Sequence, residues 1–166
     1  MAVTEQVRVE EVEVNQVRNI KYIIVHCTAG NQNQTVADLM KWWKEGMGWK
    51  KVGYHKVITK DGVVHTLVDD SVITNGVAGY NSNAVHVSYC GGVDSKGRPL
   101  DNRTHAQKVS LSKVVKEWHK LYPNAKIKGH RDFSPDKNGD GKITYDEYIK
   151  SCPAFEVSEW LKEIEL

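Results

Sequence analysis

The segment GHRDFSPDKNGDGKITYDEYIKSCP, Gly129 to Pro153, carries a histidine near its start, a cysteine near its end and an acidic loop between them. His130 and Cys152 offer an imidazole nitrogen and a sulfur, both good donors to a borderline-soft metal such as zinc. Asp136 to Glu147, DKNGDGKITYDE, matches the calcium-loop pattern D-x-[DN]-x-[DN]-G-x5-E at every specified position. In that reading Asp136, Asn138 and Asp140 supply side-chain oxygens, Lys142 a backbone carbonyl and Glu147 a bidentate carboxylate, with Thr144 binding directly or through water. Gly141 makes the sharp turn at the sixth position, and Ile143 fills the apolar eighth. Two features depart from the pattern. Ser134-Pro135 leaves no room for an incoming helix, and there is no second loop to pair with. The alternative is an acidic turn that caps a helix over Tyr145 to Lys150.

Working outward, 166 residues with 40% hydrophobic and 27% charged side chains suit one globular domain with a real core. A net charge of +2 argues against nucleic acid as the main partner, because dedicated binders carry a marked basic excess. No apolar run approaches the roughly 18 residues of a membrane span, so no membrane partner is expected either, and a monomer is the expected state. The N-terminal MAVTEQVRVEEVEVNQV lacks the basic and apolar regions of a secretory signal, so the chain is expected to be cytoplasmic at synthesis. Cys27, Cys90 and Cys152 are an odd number and too few for a disulfide framework. At least one must stay unpaired.

Residues 1–19, with Val7, Val9, Val12 and Val14 loosely alternating, read as an N-terminal arm or edge strand; 20–166 form the domain. Tyr22-Ile23-Ile24-Val25-His26 is a short apolar run expected to be a buried strand. Thr35 with Asp38 predicts a helix N-cap, and Val36, Leu39, Met40, Trp43 and Met47 follow at helical spacing up to Gly46 and Gly48. Tyr54 to Thr59 and Val63 to Leu67 predict strands joined by Lys60-Asp61-Gly62. Ala84 to Cys90 predicts another strand. Thr104 is expected to cap a long helix with an apolar stripe of Val109, Leu111, Val114, Val115, Trp118 and Leu121. Ala125 to Lys128 predicts a short strand into His130, and Val157, Trp160, Leu161 and Ile164 predict the last helix. Strands alternating with helices give an α/β single domain, a central mixed β-sheet flanked by helices.

Of seven histidines, most have an ordinary structural reading. His119 sits on a helix beside Lys120, His105 at a helix start, and His65 and His86 in strands where either face is open to them. His26 and His130 differ because both end apolar runs at strand rims. They converge with Cys152 only if the two strands lie side by side. Cys27 and Cys90, at ends of core strands, read as buried free thiols; a papain-like role for Cys27 would need a partner histidine, and His26 points the other way on a strand. Trp42, Trp43 and Trp49 read as core packing, with stacking on a sugar face the alternative.

IIVHCTAG, GWKKVGYHKVITKDGVV, GYNSNAVHVSYCGGVDSKGRPLDNRTHAQ, GHRDFSP and KSCPAF, in this order, resemble the zinc-dependent N-acetylmuramoyl-L-alanine amidases, and most of all the phage-lysozyme type, whose fold is shared with peptidoglycan recognition proteins. The resemblance runs from about Ile20 to Leu166. It implies a zinc enzyme that cleaves the amide between N-acetylmuramic acid and L-alanine in peptidoglycan or muropeptides, acting on the wall after release or lysis. It further implies His26, His130 and Cys152 as zinc ligands, and Tyr54 and Lys150 as the catalytic pair. Two neutral imidazoles and a thiolate leave zinc a net charge of about +1, enough to acidify water toward a pKa of ~7. Lys150 would then stabilise the oxyanion, and Tyr54 would hydrogen-bond the water or the departing amine. This chain departs from the family at Leu67-Val68-Asp69, where many relatives place an arginine, and at the 136–147 loop, an insertion relative to phage lysozymes. Two other readings belong to the same resemblance, a non-catalytic peptidoglycan-binding module and a regulator that binds a phage RNA polymerase.

Overall fold

Tyr22–Cys27, YIIVHC, is apolar on both faces because it is the inner strand of a sheet covered on both sides. In the computed structural model, which describes residues 18–143, 148 and 150–166, this strand (β1) pairs in parallel with Ala84–Tyr89 (β4) on one edge and Lys126–Gly129 (β5) on the other. Lys56–Ile58 (β2) runs parallel to β4, and Val64–Thr66 (β3) closes an antiparallel hairpin on β2. The spatial order is β3-β2-β4-β1-β5. The sheet is therefore mixed, as the alternation of elements predicts.

Alternation along the strands gives each face its own chemistry. Ile23 and Val25 of β1 and Val85, Val87 and Tyr89 of β4 point to one side. They meet Leu111, Val114, Val115 and Trp118 of His105–Leu121 (α2) and Val157 and Trp160 of Val157–Glu163 (α3). On the other side, Leu39 of Val36–Lys41 (α1) and Trp43 of the π turn that follows it pack on Val57 and Cys90, while Ile24 and Ala84 pack on Val77 of the long loop before β4. That second face also carries His26, His86 and Ser88, all fully buried.

Both predicted caps form as full capping boxes, Thr35 with Asp38 and Thr104 with Gln107. The Lys60-Asp61-Gly62 turn forms too. Gly62 has φ +84°, a left-handed conformation open to glycine without strain.

Three expectations need correction. The stripe of α2 is buried at Leu111, Val114, Val115 and Trp118, whereas Val109 and Leu121 are 56% and 65% exposed. At about 100° per residue, Val109 lies some 200° round the helix from Leu111. The place at the start of the stripe goes to Gln107, whose Nε2 donates to Ile58 O at 3.2 Å and Cys90 O at 3.1 Å. In the first helix, α-geometry stops at Lys41 and a π turn runs over Trp42–Gly46; Met40 and Met47 face outward, and Leu39 and Trp43 enter the core. The hairpin strands are shorter than read from the sequence, Tyr54 and His55 preceding β2. Of the predicted helix Tyr145 to Lys150, only Tyr148 and Lys150 belong to the described residues, and both have irregular backbone. The strand-like alternation of residues 7–14 also falls outside them.

Gln107 joins the cap of α2 to the ends of β2 and β4, so its loss removes a buried tie and half of a capping box. Gln107→Ala is expected to lower unfolding free energy by about 1–3 kcal/mol, measured as a shift in the urea midpoint at unchanged slope.

Candidate metal centre

The register of β1 on β5 ends with Val25 opposite Gly129, and the next rung sets His26 beside His130. Their ring centroids are 4.9 Å apart. His130 opens a short 3-10 turn, His130–Phe133, which is held by Asp132 Oδ2 accepting from Gly129 N at 2.8 Å. Cys152, far along the chain from both, is pinned beside them. Arg131 N donates to Cys152 O at 2.8 Å, and Tyr89 OH donates to Pro153 O at 2.6 Å. The backbone N–H of Cys27 donates to Cys152 Sγ at 3.1 Å, a bond that favours the thiolate.

His26, His130 and Cys152 thereby offer one donor atom each, all within 4.8 Å of one another. His26 Nδ1 lies 3.7 Å from Cys152 Sγ. Zinc bonds of ~2.0–2.3 Å in a tetrahedron put donors about 3.3–3.7 Å apart, so the set needs only a small contraction to fit that ion. Among the described residues it is the one cluster of three His, Cys, Asp or Glu donors placed to hold a metal. Burial does the rest. It pushes His26 well below the ordinary imidazole range and His130 down to about 4, with the Lys150 charge adding to both. Both rings are neutral, the form that donates a lone pair. Burial also pushes the Cys152 thiol well up, so a cation in the cluster is what would hold the sulfur as thiolate.

Tyr54 stands against this cluster, its ring centroid 4.8 Å from that of His26 and its hydroxyl donating to Cys27 O at 3.4 Å. Desolvation, with the thiols of Cys152 and Cys27, keeps its phenol protonated. Lys150 is exposed and borders the same cleft as Tyr54, His130 and Cys152. A groove continues from there past Trp49, Asn75, Val77, Tyr80 and Phe133. Trp43 is core, Trp42 is exposed, and Trp49 is the tryptophan that lines both cavities. Cys27 and Cys90 are buried free thiols, as read from the sequence.

In the acidic loop, Asp136 accepts from Gly139 N (3.1 Å) and Gly141 N (2.7 Å), Asn138 from Asp140 N (3.2 Å), and Asp140 from Lys142 N (2.9 Å). Gly141 takes φ +81° at the expected sharp turn. Thr144 and Glu147 lie outside the described residues.

Two further histidines meet the centre that spacing did not single out. His86 Nδ1 is 2.8 Å from His26 Nε2, and His55 Nδ1 accepts from His86 N at 3.0 Å. Their signal in the sequence was polarity inside apolar strands, which without a register does not say what they face.

A family model described as N-acetylmuramoyl-L-alanine amidase matches residues 16–153. The endolysin of Enterobacteria phage K11 is 35% identical over 158 residues, covering 94% of this chain and 95% of its own. That of Klebsiella phage KP32 is 33% identical over 158 residues, with coverages of 94% and 95%. A solved endolysin amidase, LysCS from Clostridium intestinale, shares the fold with a TM-score of 0.68 at 21% identity, over 89% of this chain and 85% of that one.

Four buried neutral imidazoles make stability depend on pH. Unfolded, each titrates near ~6.5; folded, His55 and His130 are pushed to about 4 and His26 and His86 well below the ordinary range, burial being the first cause for each. The unfolded chain therefore binds more protons across this window, and stability present above about pH 6.5 is lost as pH falls toward 4. The urea midpoint of chelator-treated protein is expected to fall steadily from about pH 7 to 5. A flat midpoint there would contradict neutral burial.

Proposed function

The chain belongs to the N-acetylmuramoyl-L-alanine amidase family, and from that premise we propose that His26, His130 and Cys152 hold a zinc ion beside which Tyr54 and Lys150 act on the substrate. The reaction is hydrolysis of the amide between N-acetylmuramic acid and L-alanine in peptidoglycan. The observation that carries the metal reading is the convergence of two imidazoles and one sulfur within 4.8 Å from three distant places in the chain. Three protein donors leave a fourth position open, the arrangement of catalytic rather than structural zinc.

Bound zinc supplies Lewis acidity, lowering the pKa of water and polarising a carbonyl. The chain's own groups supply the remaining terms. The Lys150 ammonium, at the mouth beside His130, faces the oxygen on which negative charge develops as the amide carbon becomes tetrahedral. Tyr54, protonated and next to His26, turns its hydroxyl from the long 3.4 Å bond to Cys27 O to donate to the water or to the departing amine. Trp49, Tyr80 and Phe133 along the groove offer aromatic faces to the glycan and stem peptide. A module that only binds peptidoglycan has no need of the sulfur, and Cys152 is in place with its N–H donor. The Asp136–Glu147 loop we propose as a calcium site, supported by its motif and by the turn that gathers Asp136, Asn138 and Asp140.

Cys152→Ala and His26→Ala are expected to lose zinc and activity together, read by metal analysis and by N-terminal alanine released from peptidoglycan. Full activity in either after chelation would remove the metal assignment. Lys150→Ala is expected to keep zinc and lose turnover by about 10²–10³; an unchanged rate would remove its role. For the loop, calorimetric titration should show heat and thermal stabilisation, and neither effect up to about 1 mM calcium would reduce it to a turn.

A further inference from the structure

A ligand histidine has two nitrogens, and the hydrogen bond made by one decides which of them is free for a metal. His26 lies at the near end of a chain of such bonds that reaches the groove wall. Its Nε2 is 2.8 Å from His86 Nδ1, His86 Nε2 is 3.0 Å from Asn81 Oδ1, and Asn81 Oδ1 accepts from Val77 N at 2.8 Å. His26 and His86 are both fully buried.

The direction of every bond follows from the last one. Val77 N–H can only donate, so the Asn81 atom facing it is the amide oxygen, not the nitrogen. Facing that oxygen, His86 Nε2 must carry the proton. A neutral His86 then presents a bare Nδ1, and His26 must donate to it through Nε2–H. The remaining nitrogen of His26, Nδ1, keeps its lone pair, and it is the atom 3.7 Å from Cys152 Sγ.

The fold makes room for this chain. A Cβ on Gly76 would sit 2.2 Å from His86 Nδ1, so only glycine lets the loop close over the ring. His86 is held in addition by its backbone, N–H to His55 Nδ1 at 3.0 Å, and His55 Nε2–H donates in turn to Val72 O at 2.6 Å. The loop residues that end the chain, Val77 and Asn81, also line the groove with His130 and Lys150.

We propose that His86, backed by Asn81, is a positioning residue for the metal: it fixes His26 as the Nε2–H tautomer, with Nδ1 aimed at the donor cluster. The inference rests on His26 being a zinc ligand. Loss of such a partner weakens metal binding by about 10–100-fold.

The test compares zinc affinity, by competition with a chromophoric chelator, in the wild-type chain and in His86→Phe, His86→Gln and Asn81→Leu. His86→Phe keeps a ring but removes the acceptor, and it is expected to bind zinc about 10–100-fold more weakly. His86→Gln, whose amide oxygen can accept from His26 Nε2–H, is expected to recover most of that loss. Asn81→Leu releases the tautomer of His86 without touching His26 and is expected to weaken zinc binding by a smaller factor. Imidazole nitrogen NMR of the zinc-free wild type should show the His26 proton on Nε2. Wild-type affinity in His86→Phe, no recovery in His86→Gln, or a His26 proton on Nδ1 would each overturn the proposal. Should His86→Phe fail to fold, Asn81→Leu and the wild-type spectrum still decide it. Failure of the wild type to bind zinc at all would instead remove the metal assignment beneath it.

Discussion

The parallel pairing of β1 with β5 on one edge and β4 on the other is the constraint from which the site follows. With β5 the last rung sets Val25 opposite Gly129, beyond which His26 and His130 are neighbours. With β4 it sets Ile24 opposite His86, so His26, two residues on, shares a face with His86. A one-residue slip of β1 would turn His26 toward the face covered by α2 and α3. The apolar alternation of Ile23 and Val25 against Val85 and Val87 prevents that slip, because it would bring the His26 imidazole under α2 and α3 in place of Val25. The packing of one face thus enforces the chemistry of the other.

The second face pays for its histidines in desolvation, and the long loop before β4 keeps that cost bounded by giving each ring partners. Asn81, Val72 and Val77 belong to that loop, and they supply the terminal acceptors and the donor that set the tautomers of His86 and His55. The loop itself is tied down from outside. The Arg18 guanidinium donates to the carbonyls of Asp70, Val72, Asn81 and Ala84, and Asp70 in turn accepts from Trp118 Nε1 and Tyr122 OH at the end of α2. Buried polar groups are tolerable when they are hydrogen-bonded, and both ring nitrogens of His55 and of His86 have partners, supplied in part by a loop that also lines the groove beside His130 and Lys150.

Much of this was legible in the sequence. The element order, both helix caps and the hairpin turn followed from local chemistry, which neighbours in the chain decide. His26, His130 and Cys152 stood out by position, and the family resemblance supplied their joint role. What stayed hidden depended on register. His86 carries no local mark that separates a ligand-facing ring from a solvated one, and Asn81 looked like any loop asparagine. Gln107 was passed over because polarity argues against core placement, although the carbonyls of Ile58 and Cys90 give its amide hydrogen what a helix stripe ordinarily lacks. Val109 and Leu121 failed in the opposite sense, apolar by type but turned away from the sheet by helical geometry.

The separation between the donors and the acidic loop has a thermodynamic logic. Residues 131–151 separate His130 from Cys152 in the sequence, and the two ends of this excursion lie side by side. Lengthening such an excursion costs only about 0.6 kcal/mol per doubling in closure entropy, provided its base is fixed. The base is fixed by Arg131 N to Cys152 O, by Tyr89 OH to Pro153 O, and by the Arg131–Glu156 ion pair at 3.2 Å. The Arg131 guanidinium, over the Tyr148 ring at 4.6 Å, carries this anchorage a little way into the excursion. The position of Cys152 beside His26 and His130 is therefore set at the base of the excursion. Lys150 stands just inside the pinned base, near enough for its charge to bear on His26 and His130. The fold thus brings His26, His130 and Cys152 together at the end of the sheet and holds Lys150 beside them at the mouth of the groove.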